Sequence, residues 1–113
     1  MPKIDKVARD RIRSLNDQFR RTFVGGRIVL TAGVTELPKH IREVVLRNVA
    51  MFDTFKPDND PHGEHDFGSF SVDENKIFFK IDYYDKTLEF GSPNPSDPTV
   101  TTRVLTIMLA DEY

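Results

Sequence analysis

Titratable residues gather in two short stretches of this chain. Glu64, His65 and Asp66 follow one another, and Asp82, Tyr84 and Glu89 fall within eight positions further on. Asp82 and Glu89, set opposite each other across a hairpin, would stand roughly 5 Å apart at Cβ, where like charges repel unless a cation lies between them. Lys80, on the same strand face, is one such cation and a metal ion is another. The pair otherwise forms an acidic recognition or catalytic spot. His65 and Asp66 would emerge beside it, and a histidine among carboxylates is the raw material of metal-assisted hydrolysis or general acid–base chemistry.

Within the polar run KPDNDPHGEHD, His62, His65 and Asp66 are the weak candidates for metal ligands, since such nitrogen and oxygen donors hold zinc, manganese or magnesium. Asp58, Asp60 and Gly63 also fall at positions one, three and six of a calcium loop. His62 at position five and Ser69 at position twelve break that pattern, which excludes an EF-hand. Runs rich in Asp, Asn, Gly and Pro also form plain turns. No resident metal or cofactor is expected.

The acidic residues need a ribbon to position them. Phe67 to Val72, Lys76 to Tyr84 and Thr87 to Gly91 are rich in aromatic and β-branched residues and are separated by turn-forming residues, so they read as three antiparallel strands. A two-residue turn at Asp85 and Lys86 would pair Asp82 with Glu89. One at Glu74 and Asn75 would pair Phe70 with Phe79 and Phe67 with Asp82. Period-two alternation then puts Phe70, Val72, Ile77, Phe79, Ile81, Tyr83, Leu88 and Phe90 on a core face. Ser69, Ser71, Phe78, Lys80, Asp82, Tyr84 and Glu89 take the other.

Helices flank this ribbon. Ile4, Ala8, Ile12, Leu15, Phe19 and Phe23 recur at helical spacing over residues 4–22, ended by Gly25 and Gly26. Lys6, Arg9, Arg13 and Arg20 form a basic sector beside that stripe, a surface that could follow phosphates. Asp5 to Arg9, Arg13 to Asp17 and Asp17 to Arg21 are spaced four apart, which could neutralise much of that charge within the helix. Arg27 to Ala32 reads as a further strand. Leu37, Ile41, Val44, Val45, Val49 and Phe52 mark a second helix, with Pro38 in its first turn. Asp97 followed by Pro98 reads as the start of a closing helix lined by Val100, Val104, Leu105, Met108 and Leu109. The expected fold is α+β, in the order α-β-α-β-β-β-α, a mostly antiparallel four-stranded sheet with helices packed on one face.

Composition sets outer bounds. The 113 residues, with nine Phe and three Tyr, suit one domain spanning 1–113 with one core. Without cysteine there are no disulfides and no thiolate metal sites, as in a reducing compartment. No run is long and apolar enough to span a membrane, so a cytoplasmic protein without membrane contact is expected. The net charge of −2 is unevenly spread: residues 1–50 hold eleven Lys/Arg against five Asp/Glu, and residues 51–113 hold five against thirteen. Such a split suits two differently charged surfaces, or two halves that interleave their charges on folding.

Four strings, LNDQFRRTFVGGRIVLTAGV, FKPDNDPHGEHDFGSF, FKIDYYD and SDPTVTTRVLTIMLADEY, resemble an uncharacterised bacterial family, domain of unknown function 3768. The likeness covers nearly the whole chain from Arg11 onward. It carries no activity onto any residue. It implies the company of plasmids, phages and other mobile elements. Three functions follow as expectations. The first is a non-enzymatic protein-interaction module, an inhibitor of a host defence nuclease of the anti-CRISPR or anti-restriction type, whose partner is a protein or ribonucleoprotein. The second is a small divalent-metal-dependent hydrolase using His65, Asp66, Asp82 and Glu89. The third is a nucleic-acid-binding accessory protein using the basic face of the first helix.

Overall fold

In the computed structural model, which describes residues 6–113, the chain runs α1 (Lys6–Thr22), β1 (Gly26–Leu30), α2 (Ala32–Thr35), α3 (Lys39–Met51), β2 (Phe67–Val72), β3 (Asn75–Tyr84) and β4 (Thr102–Leu109). A 3₁₀ turn at Ala110–Glu112 follows. The expected helix start at Ile4 and the charge of Asp5 lie outside the described residues. The four strands form one mixed sheet in the order β1-β4-β3-β2, with β1 parallel to β4 and the other two pairings antiparallel. The fold is α+β.

Helices α1 and α3 cover one face of this sheet because their apolar stripes fit its inward positions. Phe19 from α1 and Ile41, Val45 and Val49 from α3 meet Ile77, Phe79 and Ile81 of β3 and Leu105 and Ile107 of β4 in a single core. The chain leaves α1 through Phe23 (φ 59°) and Gly25 (φ 117°), left-handed positions that turn it back into β1. Gly26 then sits so close to the Phe19 ring and the Arg103 carbonyl that a Cβ would lie 2.7 and 2.5 Å from them.

Strands β2 and β3 form the expected hairpin, but with its turn at Asp73 and Glu74. Phe70 opposes Ile77 and Phe67 opposes Lys80. This is a slip of two residues from the expected pairing. A slip of two preserves both faces, so Phe70, Val72, Ile77, Phe79, Ile81 and Tyr83 remain on the helix side. Asp73 supplies the left-handed residue that the tighter turn needs (φ 53°).

Two expected elements are corrected. Thr87 to Gly91 is not a strand. The Asp85 carboxylate accepts bonds from the Thr87 hydroxyl (2.8 Å) and the Glu89 backbone N–H (3.1 Å), and the Asp85 N–H closes on the Phe90 carbonyl (2.8 Å). The loop curls on itself, Phe90 is left 70% exposed, and only Gly91 returns to bridge Tyr84. The closing helix is also absent. Asp97 does bond like a cap, accepting from the N–H and hydroxyl of Thr99, but the bonds stop there as an Asx turn. The next residues, TRVLTIML, become β4, with Arg103, Leu105 and Ile107 buried on alternate positions. Their Thr, Val and Ile favour the strand wherever the two periods compete.

Gly68 shows how tightly the inner face is packed, since a Cβ there would collide with the Phe79 ring and lie 2.9 Å from that of Phe52. Gly68→Ala is expected to lower stability by about 1–3 kcal/mol, read from the urea midpoint.

Candidate functional site: a sealed polar corner and an open sheet face

The structure separates the residues that sequence brings together. Asp82 opposes Val104 of β4 rather than Glu89, because β4 occupies the place expected for Thr87 to Gly91. Its carboxylate pairs with Lys80 at 3.0 Å, and both side chains are about a third exposed (37% and 36%), so the pair contributes little to stability. This bond is also what raises the Lys80 pKa. Glu89 is on the exposed Asp85 loop. Glu64 and His65 lie on the helix side of the sheet, and Asp82 and Tyr84 on the other. The expected acidic face therefore does not exist as one surface, and His65, Asp66, Asp82 and Glu89 do not converge. Among the described residues no three His, Asp or Glu side chains form a group that could hold a metal, His62, His65 and Asp66 included.

What forms on the helix side is a sealed polar corner. Asn16 of α1 is fully buried. Its amide donates to the Glu64 carbonyl (3.0 Å) and the Tyr83 hydroxyl oxygen (2.8 Å), and its oxygen accepts from Arg103 Nε (2.8 Å). The Tyr83 hydroxyl donates to the Glu64 carboxylate at 2.7 Å. Arg103, buried within β4, also donates to the Pro95 carbonyl and lies over the Tyr83 ring. Burial holds the Tyr83 phenol neutral far above its ordinary range, with the bond to Glu64 acting the same way.

One turn further along α1, Arg20 is fully buried and pairs with Asp17 at 2.9 Å. Its guanidinium stands over the rings of Phe55 (5.2 Å) and Phe79 (5.7 Å). Its Nε and Nη1 have no hydrogen-bond acceptor. Asp17 also faces His65 Nδ1 at 2.9 Å, which assigns the proton to that nitrogen, since two acceptors would repel. His65 takes a left-handed backbone (φ 57°), stacks on Phe55 at 3.9 Å, and turns Nε2 to within 3.7 Å of Asp60. Asp60 in turn accepts the N–H groups of Glu64 and His65. Apart from Nε and Nη1 of Arg20, these polar groups bond one another, which makes the corner a clasp between α1, the 56–66 loop and the sheet.

The basic helix face is corrected accordingly. Arg20 points into the core and cannot meet a phosphate. Arg9 and Arg13 share Asp10 (3.4 and 2.9 Å), and Lys6 alone of the four is freely exposed. Arg9 and Arg13 line a pocket of about 340 Å³ with Lys56, His62 and His65.

Among the described residues the other sheet face carries no helix. Phe67, Phe78, Lys80, Asp82, Tyr84, Val104 and Thr106 lie on it, joined by Arg27 and Val29 of β1 and Lys76 of β3. Phe67, Phe78 and Tyr113 form an aromatic cluster with centroids 5.3 to 6.1 Å apart, and Lys76 Nζ lies 5.6 Å over Phe78. Tyr113 is 73% exposed. Arg27, Lys76 and Lys80 outnumber Asp82, so this face is aromatic and mildly basic.

Sequence reasoning missed Asn16, Asp17, Tyr83 and Arg103 as parts of a site. The available signal was an arginine at an inward position of an otherwise apolar strand, which demands buried acceptors.

A family model described as a protein of unknown function, DUF3768, matches residues 30–112. The chain belongs to that family. No curated protein and no solved structure matches it.

Two predictions test the corner. Asn16→Ala strips partners from buried Arg103 and Tyr83 and is expected to lower stability by about 3 kcal/mol in urea unfolding. Burial, then the charge of Glu64, raises the Asp66 pKa above its ordinary value. A carboxyl with a raised folded pKa binds its proton more tightly when folded, so stability falls as pH climbs past the unfolded value. Asp66→Asn should therefore raise the melting temperature at pH 7, and the gain should vanish below about pH 4.

Proposed function

We propose that this member of the DUF3768 family is a non-enzymatic interaction module whose contact surface is the helix-free face of its sheet. The single observation behind this reading is that the Phe67, Phe78 and Tyr113 cluster stays partly exposed on a face that no helix covers, while the polar residues best suited to chemistry are tied to one another on the opposite side. Exposed aromatic groups ringed by cations are what a protein contact uses as anchors and rim.

Lys76 over Phe78 and Lys80 opposite Phe67, with Arg27 further along the same face, fit a partner with apolar side chains inside an acidic border. A host defence nuclease is the partner taken for the test, and its inhibition is the activity to assay; the family model itself assigns no activity. A basic stripe on the partner would not suit this face, so phosphate mimicry is not part of the reading.

The test is a challenge assay in which cells carrying the protein receive a foreign plasmid, combined with crosslinking from Phe78. The wild-type chain is expected to protect the plasmid and to crosslink a nuclease subunit. Lys76→Glu and Phe78→Glu should lose both effects, whereas Arg47→Glu on the exposed side of α3 should keep them. Full protection by Lys76→Glu and Phe78→Glu would refute the assignment to this face. Salt-dependent binding of single-stranded oligonucleotide, lost in the same two variants, would replace the protein partner with nucleic acid.

A further inference from the structure

Strand β1 is an edge of the sheet, bonded to β4 on one side only. It spells GRIVL, and four of its five residues are exposed, with Ile28 at 38% and Val29 at 45%. Natural edge strands are usually blunted by proline, bulges, inward charges or a covering loop. β1 has none of these, and its one charge, Arg27, lies on the helix-free face.

The backbone polarity of this edge is fixed by its neighbour. The Thr31 N–H bonds the Ile107 carbonyl at 3.1 Å, so Arg27, Val29 and Thr31 turn their backbone groups toward β4. Gly26, Ile28 and Leu30 therefore turn theirs outward, to a side where the sheet has no further strand among the described residues.

We infer that β1 pairs antiparallel with β1 of a second copy about a two-fold axis at Ile28, joining two four-stranded sheets into one. In this register Ile28 meets Ile28 of the second copy as a hydrogen-bonded pair, and Gly26 meets Leu30 on either side, so every outward backbone group finds a partner. Arg27 then opposes Val29 of the other copy. A shift that brings Gly26 opposite Ile28 would set the two Arg27 side chains against each other. A shift that brings Ile28 opposite Leu30 would strand the backbone of Gly26. The strand is self-complementary in one register, as a two-fold contact requires.

The axis stands perpendicular to the sheet, so the helix-free faces of both copies lie on the same side and become continuous. The pairing rests on the edge alone and holds whether or not that face binds a partner.

The register makes Val29 decisive, because each Val29 opposes an Arg27. Sedimentation velocity of the full chain should show a concentration-dependent monomer–dimer equilibrium. Val29→Lys should weaken the dimer about tenfold and Val29→Glu should tighten it, since two cross-strand charge pairs change sign. Circular dichroism confirms that both variants fold. The chain has no cysteine, so Ile28→Cys places a single thiol on the axis. Opposed Cα atoms of a hydrogen-bonded pair lie about 5.5 Å apart, within disulfide reach. Oxidation should give a covalent dimer from Ile28→Cys and none from Lys39→Cys. A wild-type chain that stays monomeric at millimolar concentration, an Ile28→Cys variant that does not crosslink, or equal shifts in the same direction for the two Val29 variants would overturn the inference.

Discussion

The side chain of Asn16 ties α1 and the 56–66 loop to the paired strands β3 and β4. From the middle of α1 it reaches the 56–66 loop through the Glu64 carbonyl, β3 through Tyr83, and β4 through Arg103. Asn16 and Arg103 are buried, so the loss of the bond between them leaves a buried polar group unpaired. Apolar packing alone would let α1 slide or rotate on the sheet. The amide, with the Asp17, Arg20 and His65 contacts one turn on, sets a single position. This explains why so many residues of catalytic type are buried: they hold α1 and the loop in register.

The opposite face of the sheet is covered only in part: Met108 on it is buried, while Phe67 and Phe78 stay half-buried. The helix-side positions of β3 and β4 hold Ile77, Phe79, Ile81, Leu105 and Ile107, and the alternate positions necessarily face outward. There, Phe67, Phe78 and Tyr113 cover one another only partly. Tyr113 reaches them because the chain turns back after β4, where the Glu112 carboxylate takes the Thr31 hydroxyl (2.6 Å) and the N–H groups of Leu109 (2.8 Å) and Gly33 (3.0 Å). Those three bonds lower the Glu112 pKa and tie the final turn to α2. The C-terminal end thus contributes an aromatic ring to the open face.

Much of the fold was legible in the sequence wherever one period dominated. The alternation in KIFFKIDYY placed Ile77, Phe79 and Ile81 inward and Phe78, Lys80 and Asp82 outward even though the pairing was set two residues off. Ile41, Val45 and Val49 likewise marked the buried side of α3. Reading failed at VTTRVLTIML, where Val100, Val104, Leu105 and Met108 match a helix and Arg103, Leu105 and Ile107 match a strand. The contest is settled by contacts remote in sequence: β1 on one side and β3 on the other, with Asn16 receiving the arginine. The error carried into the site. With β4 unrecognised, Thr87 to Gly91 filled its place and set Glu89 beside Asp82, although Asp85 has enough local acceptor capacity to close that loop alone.

The two unequal faces of one sheet are the centre of this account, and solvent paramagnetic relaxation enhancement of assigned side-chain resonances probes them directly. With a soluble gadolinium chelate, the signals of Val29, Phe78 and Val104 should relax strongly, while those of Ile77, Phe79, Ile81 and Leu105 on neighbouring positions of the same strands stay close to their diamagnetic rates. Equal enhancement of the two sets, or stronger enhancement of the second, would contradict it.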